Sequence, residues 1–462
     1  MKKFVFWVLL LSMMLFPGCK TLEPSVEKAL PLTIPENFSV DIKGSKVTEN
    51  WWFSFNSIEL NTLIKDALDN NFDIKTLNTK LAQAKAKVEK ENASFFPDLG
   101  FSFGSKRNRT QVKTDSSADP THEYSTSWDS SLTSSYTADI WGEARDKKYA
   151  QVSNLLAIEQ DLRESTLKLT TQIAEIWIDI ITARNKKSIL NNQIKINNTL
   201  LKLQTLRFIN GKANALDVSQ QREALAEASS QVPLLEMQEK LLLNNLSFLS
   251  GKTTTSAIFM NTETLPEPIP LPSTGIPSDL LKNRPDIQAA KMRMFTSEWE
   301  VKAAKADLLP SFTLSAKALF SHGELDLMFQ NWVGTLAASI AGPIFDGGYR
   351  RAEVRRARAA AEEQLNLYAK TIASAIFEVE DSLIRIQKQK DYVKLLEEEL
   401  SLTRLTLKDA SIQYQNGQSS YLSYLAAWSN IERLERQLVG ERATIIKNQI
   451  KLYKALGLKP LG

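Results

Sequence analysis

Gly251-Lys252-Thr253 ends the way a phosphate-cradling loop ends, so it is the first place to look for chemistry. A P-loop needs another glycine five residues before its last one, and a strand in front. Leu246 stands at that position and the preceding pattern is helical, so the triplet reads as a helix C-cap. His122 and His322 are the only 2 histidines, both in polar loop stretches, and Cys19 is the 1 cysteine. No Cys/His cluster therefore offers a metal site. No Gly-x-Ser-x-Gly elbow presents a serine nucleophile. Glu397-Glu398-Glu399 reads as a solvated helix face. Acid–base, nucleophilic and metal-assisted chemistry are all left without a constellation, so no catalytic residue, cofactor or metal is expected. A net charge of +4, with Lys and Glu interleaved, is no nucleic-acid footprint either.

Covalent chemistry has one candidate, Cys19. Met1-Lys2-Lys3 is a basic start, and Phe4 to Phe16 is an apolar run of about 13 residues, too short for a membrane span of about 20. Residues 1–18 read as a secretory signal peptide. Cys19 follows Gly18 at the end of that run and resembles the acceptor of a bacterial lipobox, with Phe16 where leucine is usual. Cys19 is the expected lipidation site, each buried CH₂ of an acyl chain contributing about 0.8 kcal/mol. By resemblance to lipoprotein sorting, Lys20 beside it directs the chain to the outer membrane. Beyond the signal no run of 18 apolar residues occurs, so no transmembrane helix is expected.

The elements come in duplicate. Asn71-Phe72-Asp73-Ile74 and Asn283-Arg284-Pro285-Asp286-Ile287 open stretches with the same spacing, Asp73 to Pro97 and Asp286 to Pro310. Phe208-Ile209-Asn210-Gly211 answers Tyr414-Gln415-Asn416-Gly417, and Gly251 answers Gly457. A period of roughly 205–213 residues exceeds solenoid repeats of about 20–50 and marks a duplicated domain-sized unit.

Each repeat alternates apolar and polar residues in its first third. Phe101 and Phe103 precede a polar loop, Ser105 to Glu123, and Tyr124 to Ile140 alternates again. Phe312 to Phe320 and Trp332 to Ile344 do the same around a loop from Ser321 to Gln330. Period two means strands with one apolar face, hence one β-hairpin per repeat, at about 98–140 and about 311–345. The remainder reads as helix. Leu155, Leu162, Leu169, Ile176, Ala183 and Leu190 recur every seventh residue, as do Leu365 through Leu407 in the second repeat. Sustained heptads mean coiled-coil packing. Unbroken by proline, Glu143 to Arg207 and Tyr349 to Tyr414 are rods of roughly 95 Å. They turn at Asn-Gly and return over Ala213 to Ser250 and Ser419 to Leu456, with Pro233 expected to kink the first return. The chain thus divides into a signal (1–18), a lipidated arm (19–50), repeat one (51–251), a Pro-rich linker (252–278) and repeat two (279–462).

Four strands cannot close a barrel, and an open edge in a membrane leaves backbone groups unpaired at several kcal/mol each. The barrel must be shared. Three copies give about 12 strands, and two give about 8, a barrel filled by side chains.

Trp51-Trp52-Phe53-Ser54-Phe55, Tyr136-Thr137-Ala138-Asp139-Ile140-Trp141-Gly142, Ala215-Leu216-Asp217-Val218, Arg284-Pro285-Asp286-Ile287, Phe345-Asp346-Gly347-Gly348 and Tyr453-Lys454-Ala455-Leu456-Gly457 occur in this order. On these motifs, spanning nearly the whole mature chain, the sequence resembles the TolC-like outer-membrane efflux proteins in their lipoprotein branch. The resemblance implies a mainly α protein with a β-hairpin per repeat. Its long coiled-coil α-barrel would stand in the periplasm and its transmembrane β-barrel of about 12 strands would be shared by a homotrimer. It implies export of small toxic compounds, docking to a periplasmic adaptor, and an inner-membrane pump of the RND type, with outer-membrane lipid around the barrel.

By the same resemblance, Asp217 lines a periplasmic constriction with Leu216, Tyr414 and Leu422. Where relatives often carry Asp and Arg, this chain has Ala426 and Ser429, so closure is expected to be more hydrophobic than ionic. The turns at Asn210-Gly211-Lys212 and Asn416-Gly417-Gln418 are the expected adaptor-docking tip. Arg145, Lys147 and Lys148, and Arg350, Arg351, Arg355, Arg356 and Arg358, begin the two long helices against the macrodipole. An anionic neighbour is expected there, either the phospholipid leaflet or carboxylates of the next protomer. Two other readings use the same elements: an outlet for secreted proteins of the type I kind, and a periplasmic coiled-coil scaffold without a pore.

Overall fold

The seventh-residue series are buried seams. Leu365, Ile372, Val379, Ile386, Val393 and Leu400 are all buried, as are Leu169, Ile176, Ala183 and Leu190. These residues belong to a computed structural model that describes residues 29–39, 50–112, 121–253 and 260–457. The signal stretch, Cys19 and most of the following arm lie outside the described residues.

The elements are α1 (Ile58–Asn70), α2 (Phe72–Ala93), β1 (Asp98–Val112), β2 (Thr121–Ala138), α3 (Glu143–Ile209), α4 (Ala215–Leu249), α5 (Pro285–Ala306), β3 (Ser311–His322), β4 (Trp332–Ala341), α6 (Tyr349–Gln415) and α7 (Tyr421–Ala455). The duplication persists in the lengths. α2 and α5 both have 22 residues, α3 and α6 both 67, α4 and α7 both 35. α4 runs through Pro233 as one element. The chain divides into two compact units. One takes Met1–Pro31, Leu81–Ala157 and Ala290–Tyr368; the other takes Leu32–Lys80, Ile158–Ala289 and Ala369–Gly462.

The first unit holds one antiparallel sheet of 4 strands in the order β1-β2-β3-β4. The two hairpins join where Ala138 pairs Phe312 and Trp128 pairs His322. Strand pleat then sorts the side chains. Phe101, Leu132, Ala318 and Gly334 share one register row, and Gly100, Thr133, Lys317 and Thr335 the next, on the opposite face. One face is apolar and the other is not. Among the described residues nothing covers the apolar face: Leu336 is 88% exposed and Phe101 74%. Each of β1 and β4 pairs on one side alone, so the sheet ends in two open edges.

The stretch after Gly104, expected as loop from Ser105 to Glu123, is instead strand to Val112 and again from Thr121. Lys106 pairs Ser127, and Arg109 pairs Tyr124. Backbone pairing needs no apolar face, so hydropathy could not find these residues.

Carboxylates cap both long helices. The Asp139 carboxylate accepts from the backbone N–H groups of Ala144 and Arg145 at 3.0 and 2.9 Å. Asp346 accepts from those of Gly348 and Arg350 at 2.9 and 3.2 Å. Backbone donation from Arg350 and Gly348 holds the Asp346 carboxyl below its usual range. Each helix start thus has a capping carboxylate from within the chain. Arg350 also pairs Asp307 at 3.0 Å.

In the second unit the aromatic motif is core. Trp51 stacks on Tyr453 with centroids 5.6 Å apart, and Phe55 meets Trp177 at 5.9 Å. Trp177 donates its indole N–H to Glu59 at 2.8 Å. α6 and α7 pack Val393, Leu396 and Leu400 against Ile431, Leu434 and Leu438. Gly251 is a C′ residue at φ 66°, and a Cβ there would stand 2.3 Å from the Asn70 carbonyl oxygen. That is the helix cap read from sequence, closed by Lys252 N–H on the Ser247 carbonyl at 2.9 Å.

Candidate functional site at the paired helix turns

The two long helices of the second unit end alike. Gly211 N–H donates to Phe208 and Lys212 N–H to Arg207, at 2.9 and 2.7 Å; Gly417 N–H donates to Tyr414 and Gln418 N–H to Gln413, at 3.1 and 2.8 Å. Both are Schellman caps, and both glycines sit at φ near 70°, where a side chain is strained. The Asn210 side chain donates to the Leu206 carbonyl at 2.7 Å. Lys212, Asn416 and Gln418 are exposed beside them.

α4 opens with a capping box. The Asn214 side chain accepts from Asp217 N–H at 2.8 Å, and the Asp217 carboxylate accepts from Asn214 N–H at 3.2 Å. Asp217 is half-buried, so it both holds the helix start and keeps part of its charge in solvent. Leu216 and Leu422 are exposed, at 62% and 54%. Ala426 and Ser429 are exposed as well, and neither offers a charge.

The turns are tied together by tyrosines. Tyr414, Tyr421 and Tyr424 cluster, with Tyr414 to Tyr421 at 5.4 Å and Tyr414 to Tyr424 at 6.2 Å. Tyr414 donates its hydroxyl to Gln204 at 3.1 Å, and the Arg207 guanidinium lies 4.7 Å from its ring centre.

Behind the cluster runs a buried polar ladder that the sequence reading did not single out. Tyr421 donates its hydroxyl to the Gln221 side-chain oxygen. Gln221 donates to the Asn197 side-chain oxygen at 2.9 Å, and Asn197 to the Glu432 carboxylate at 2.8 Å. Gln193 donates to the Glu432 backbone at 3.1 Å and accepts from Arg436. Tyr421, Gln221, Asn197, Gln193 and Glu432 are all buried. Burial pushes the Glu432 carboxyl above its usual range, although Asn197 and Arg436 oppose this. Burial also pushes the Tyr421 hydroxyl well up, with Tyr424 and Tyr414 adding to it, so it stays a neutral donor. A signal was present in the sequence: the heptad series ending at Leu190 continues into Asn197 and Gln204, and the series through Leu407 continues into Tyr414. The seams turn polar as they approach the turns. A polar residue at a seam position fixes which side chains face each other.

The site therefore unites Tyr414, named from sequence, with Gln204, Arg207, Tyr421 and Tyr424. Leu216 and Leu422 stay exposed beside it. No group of three or more metal-binding side chains occurs among the described residues. No helix among them is long and apolar enough to cross a membrane.

The family model for "Outer membrane efflux protein" matches residues 63–252 and 276–458. The pyoverdine export outer membrane protein OpmQ of Pseudomonas aeruginosa is 28% identical over 412 residues, covering 88% of this chain and 86% of that one. The cation efflux system protein CusC of Escherichia coli K12 is 26% identical over 458 residues, covering 95% and 96%. The solved outer membrane protein VceC of Vibrio cholerae superposes with a TM-score of 0.80 at 24% identity, over 90% of this chain and 100% of that one, a likeness of fold.

Proposed function

The chain belongs to the outer membrane efflux protein family, and we propose from that premise that it assembles as a homotrimer forming the passive outlet of a tripartite efflux pump. The open-edged sheet carries this reading: β1 of one copy and β4 of the next are the free edges that closure of a membrane barrel requires. Three copies supply about 12 strands, an even number with room for a lumen. OpmQ is named for pyoverdine export and CusC for cation efflux. Cargoes that differ so much fit a conduit that passes what a partner delivers. Small toxic compounds, loaded by an inner-membrane pump of the RND type, are the cargo class we assign.

The turns Asn210-Gly211-Lys212 and Asn416-Gly417-Gln418 are the docking tip for a periplasmic adaptor in this proposal. Asp217, Leu216, Tyr414 and Leu422 form the aperture. Exposure of Leu216 and Leu422 supports it, since three copies around an axis would bring these side chains together. Cys19 carries acyl chains that anchor the arm in the inner leaflet. The experiment is mass measurement in detergent followed by planar-bilayer recording. A trimeric mass with discrete conductance is expected; a stable monomer or a silent bilayer overturns the proposal.

A further inference from the structure

The apolar face of the sheet has a measurable height. Its lowest row is Ala138, Phe312 and Ile340, and its aromatic row holds Phe103, Ser130, Phe320 and Trp332. From Ala138 to Ser130 is roughly 27 Å along the strand, about 20 Å of height at the tilt of about 35–45° usual for barrel strands, which is most of an apolar band about 25 Å tall. Phe103 stacks on Trp128 at 6.2 Å and Phe320 meets Phe329 at 5.5 Å, as a membrane-interface girdle would.

β1 continues past that girdle on the same face. Its odd positions Leu99, Phe101 and Phe103 are apolar, Ser105 follows, and Arg107 and Arg109 are the next two odd positions. Arg107 stands roughly 13 Å beyond Phe103 along the strand, in the headgroup layer rather than the hydrocarbon. Both guanidiniums lean on one ring: Arg107 lies 5.5 Å and Arg109 5.8 Å from the centre of Tyr124. The two rest on one platform instead of spreading into solvent. Among the described residues neither is in an ion pair. Glu123, the carboxylate on the paired strand, sits opposite Thr110 and so points to the other face. Lys106 also lies on that other face. Among the described residues the outward face therefore carries two planar forks without an ion-pair partner, side by side, just above an aromatic row.

We propose that Arg107 and Arg109, held by Tyr124, bind the phosphates of a phosphorylated glycolipid of the outer leaflet. The proposal rests on the outer-membrane placement of the sheet. The helix-bearing strand ends face the periplasm in that placement, so this end faces outward. Guanidinium forks match phosphate oxygens two at a time, which an ammonium does not. The site would fix the depth of the barrel and seal its outer rim against the leaflet.

The test is lipid retention on the purified full-length assembly in nanodiscs, read by native mass spectrometry. The probes are lipid A with both phosphates, its dephosphorylated form, and phosphatidylglycerol. Wild type should hold lipid A at least about tenfold better than the dephosphorylated form. Arg107→Ala with Arg109→Ala should erase that difference, and Tyr124→Ala, which changes no charge, should reduce it. Bilayer conductance and the assembly's mass should stay as in wild type, which separates failure here from failure of the channel reading. Should the double variant not assemble, Arg109→Ala alone decides in the same way. Equal retention of all three lipids, or undiminished lipid A retention by the variants, overturns the proposal.

Discussion

The Tyr421 hydroxyl donates to Gln221 across α7 and α4, with both side chains buried. Removing one partner of such a bond leaves the other unsatisfied at about 1–3 kcal/mol. Tyr421→Phe should therefore lower thermal stability by that order and loosen the link between the two hairpins. Single-channel recording should show raised basal conductance. Adding Gln221→Leu should cost further stability, because Gln221 also donates to the buried Asn197 side-chain oxygen at 2.9 Å, which is then left without that donor.

Glu432 gives a pH dependence of defined sign. Burial raises its carboxyl above the ordinary value of 4.5. A raised carboxyl binds its proton more tightly folded than unfolded, so the folded state gains as pH falls from neutral through the raised value. The gain levels off below the unfolded value. Glu432→Gln keeps the acceptor for Asn197 and should remove this part of the dependence. Melting curves of variant and wild type between neutral pH and about pH 4 check it. Parallel curves would refute it.

Asp217 cannot be tested by alanine alone. Its carboxylate caps α4, so Asp217→Ala should cost about 1 kcal/mol of helix start besides its charge. Asp217→Asn keeps an acceptor and loses the charge. Both should reduce cation selectivity, since like carboxylates near one axis repel anions. Unchanged selectivity in Asp217→Asn would leave Asp217 a cap and nothing more.

Leu422→Ala should raise basal conductance without shifting selectivity, because Leu422 is apolar and exposed. Combined with Asp217→Asn, its leak should exceed either single effect, since both act on one aperture. Bilayer recording of the three proteins settles it.

Gly211→Val and Gly417→Val test the tip. No atom lies within 4 Å of a Cβ at either site, so the cost comes from the backbone at positive φ. Pore assembly should survive, and adaptor cross-linking should fall. Undiminished cross-linking in both variants would move the docking surface elsewhere.

Periodicity makes most of the architecture legible in the sequence. Leu365 to Leu400 repeats at seven, Phe312 to Phe320 at two, and each period belongs to one element type. What escapes is polar. Lys106 to Val112 pairs as strand although hydropathy reads it as loop. Asn197 continues the heptad of Leu190, but Gln193 and Glu432 look like solvated residues until their partners are known, because a buried hydrogen bond has no period. Asp217 was visible as a residue near a helix start, and its box with Asn214 follows from their spacing.

The unpaired edges of β1 and β4 have a genetic consequence. In a closed ring each copy's β4 must meet another copy's β1, so one chain with a spoiled edge disables the whole ring. If half the chains in a cell carried a proline in β4, only roughly an eighth of randomly mixed three-membered rings would be free of it. Such an allele should be dominant, and its severity should follow the ratio of the two gene doses, not the damage done to either product alone.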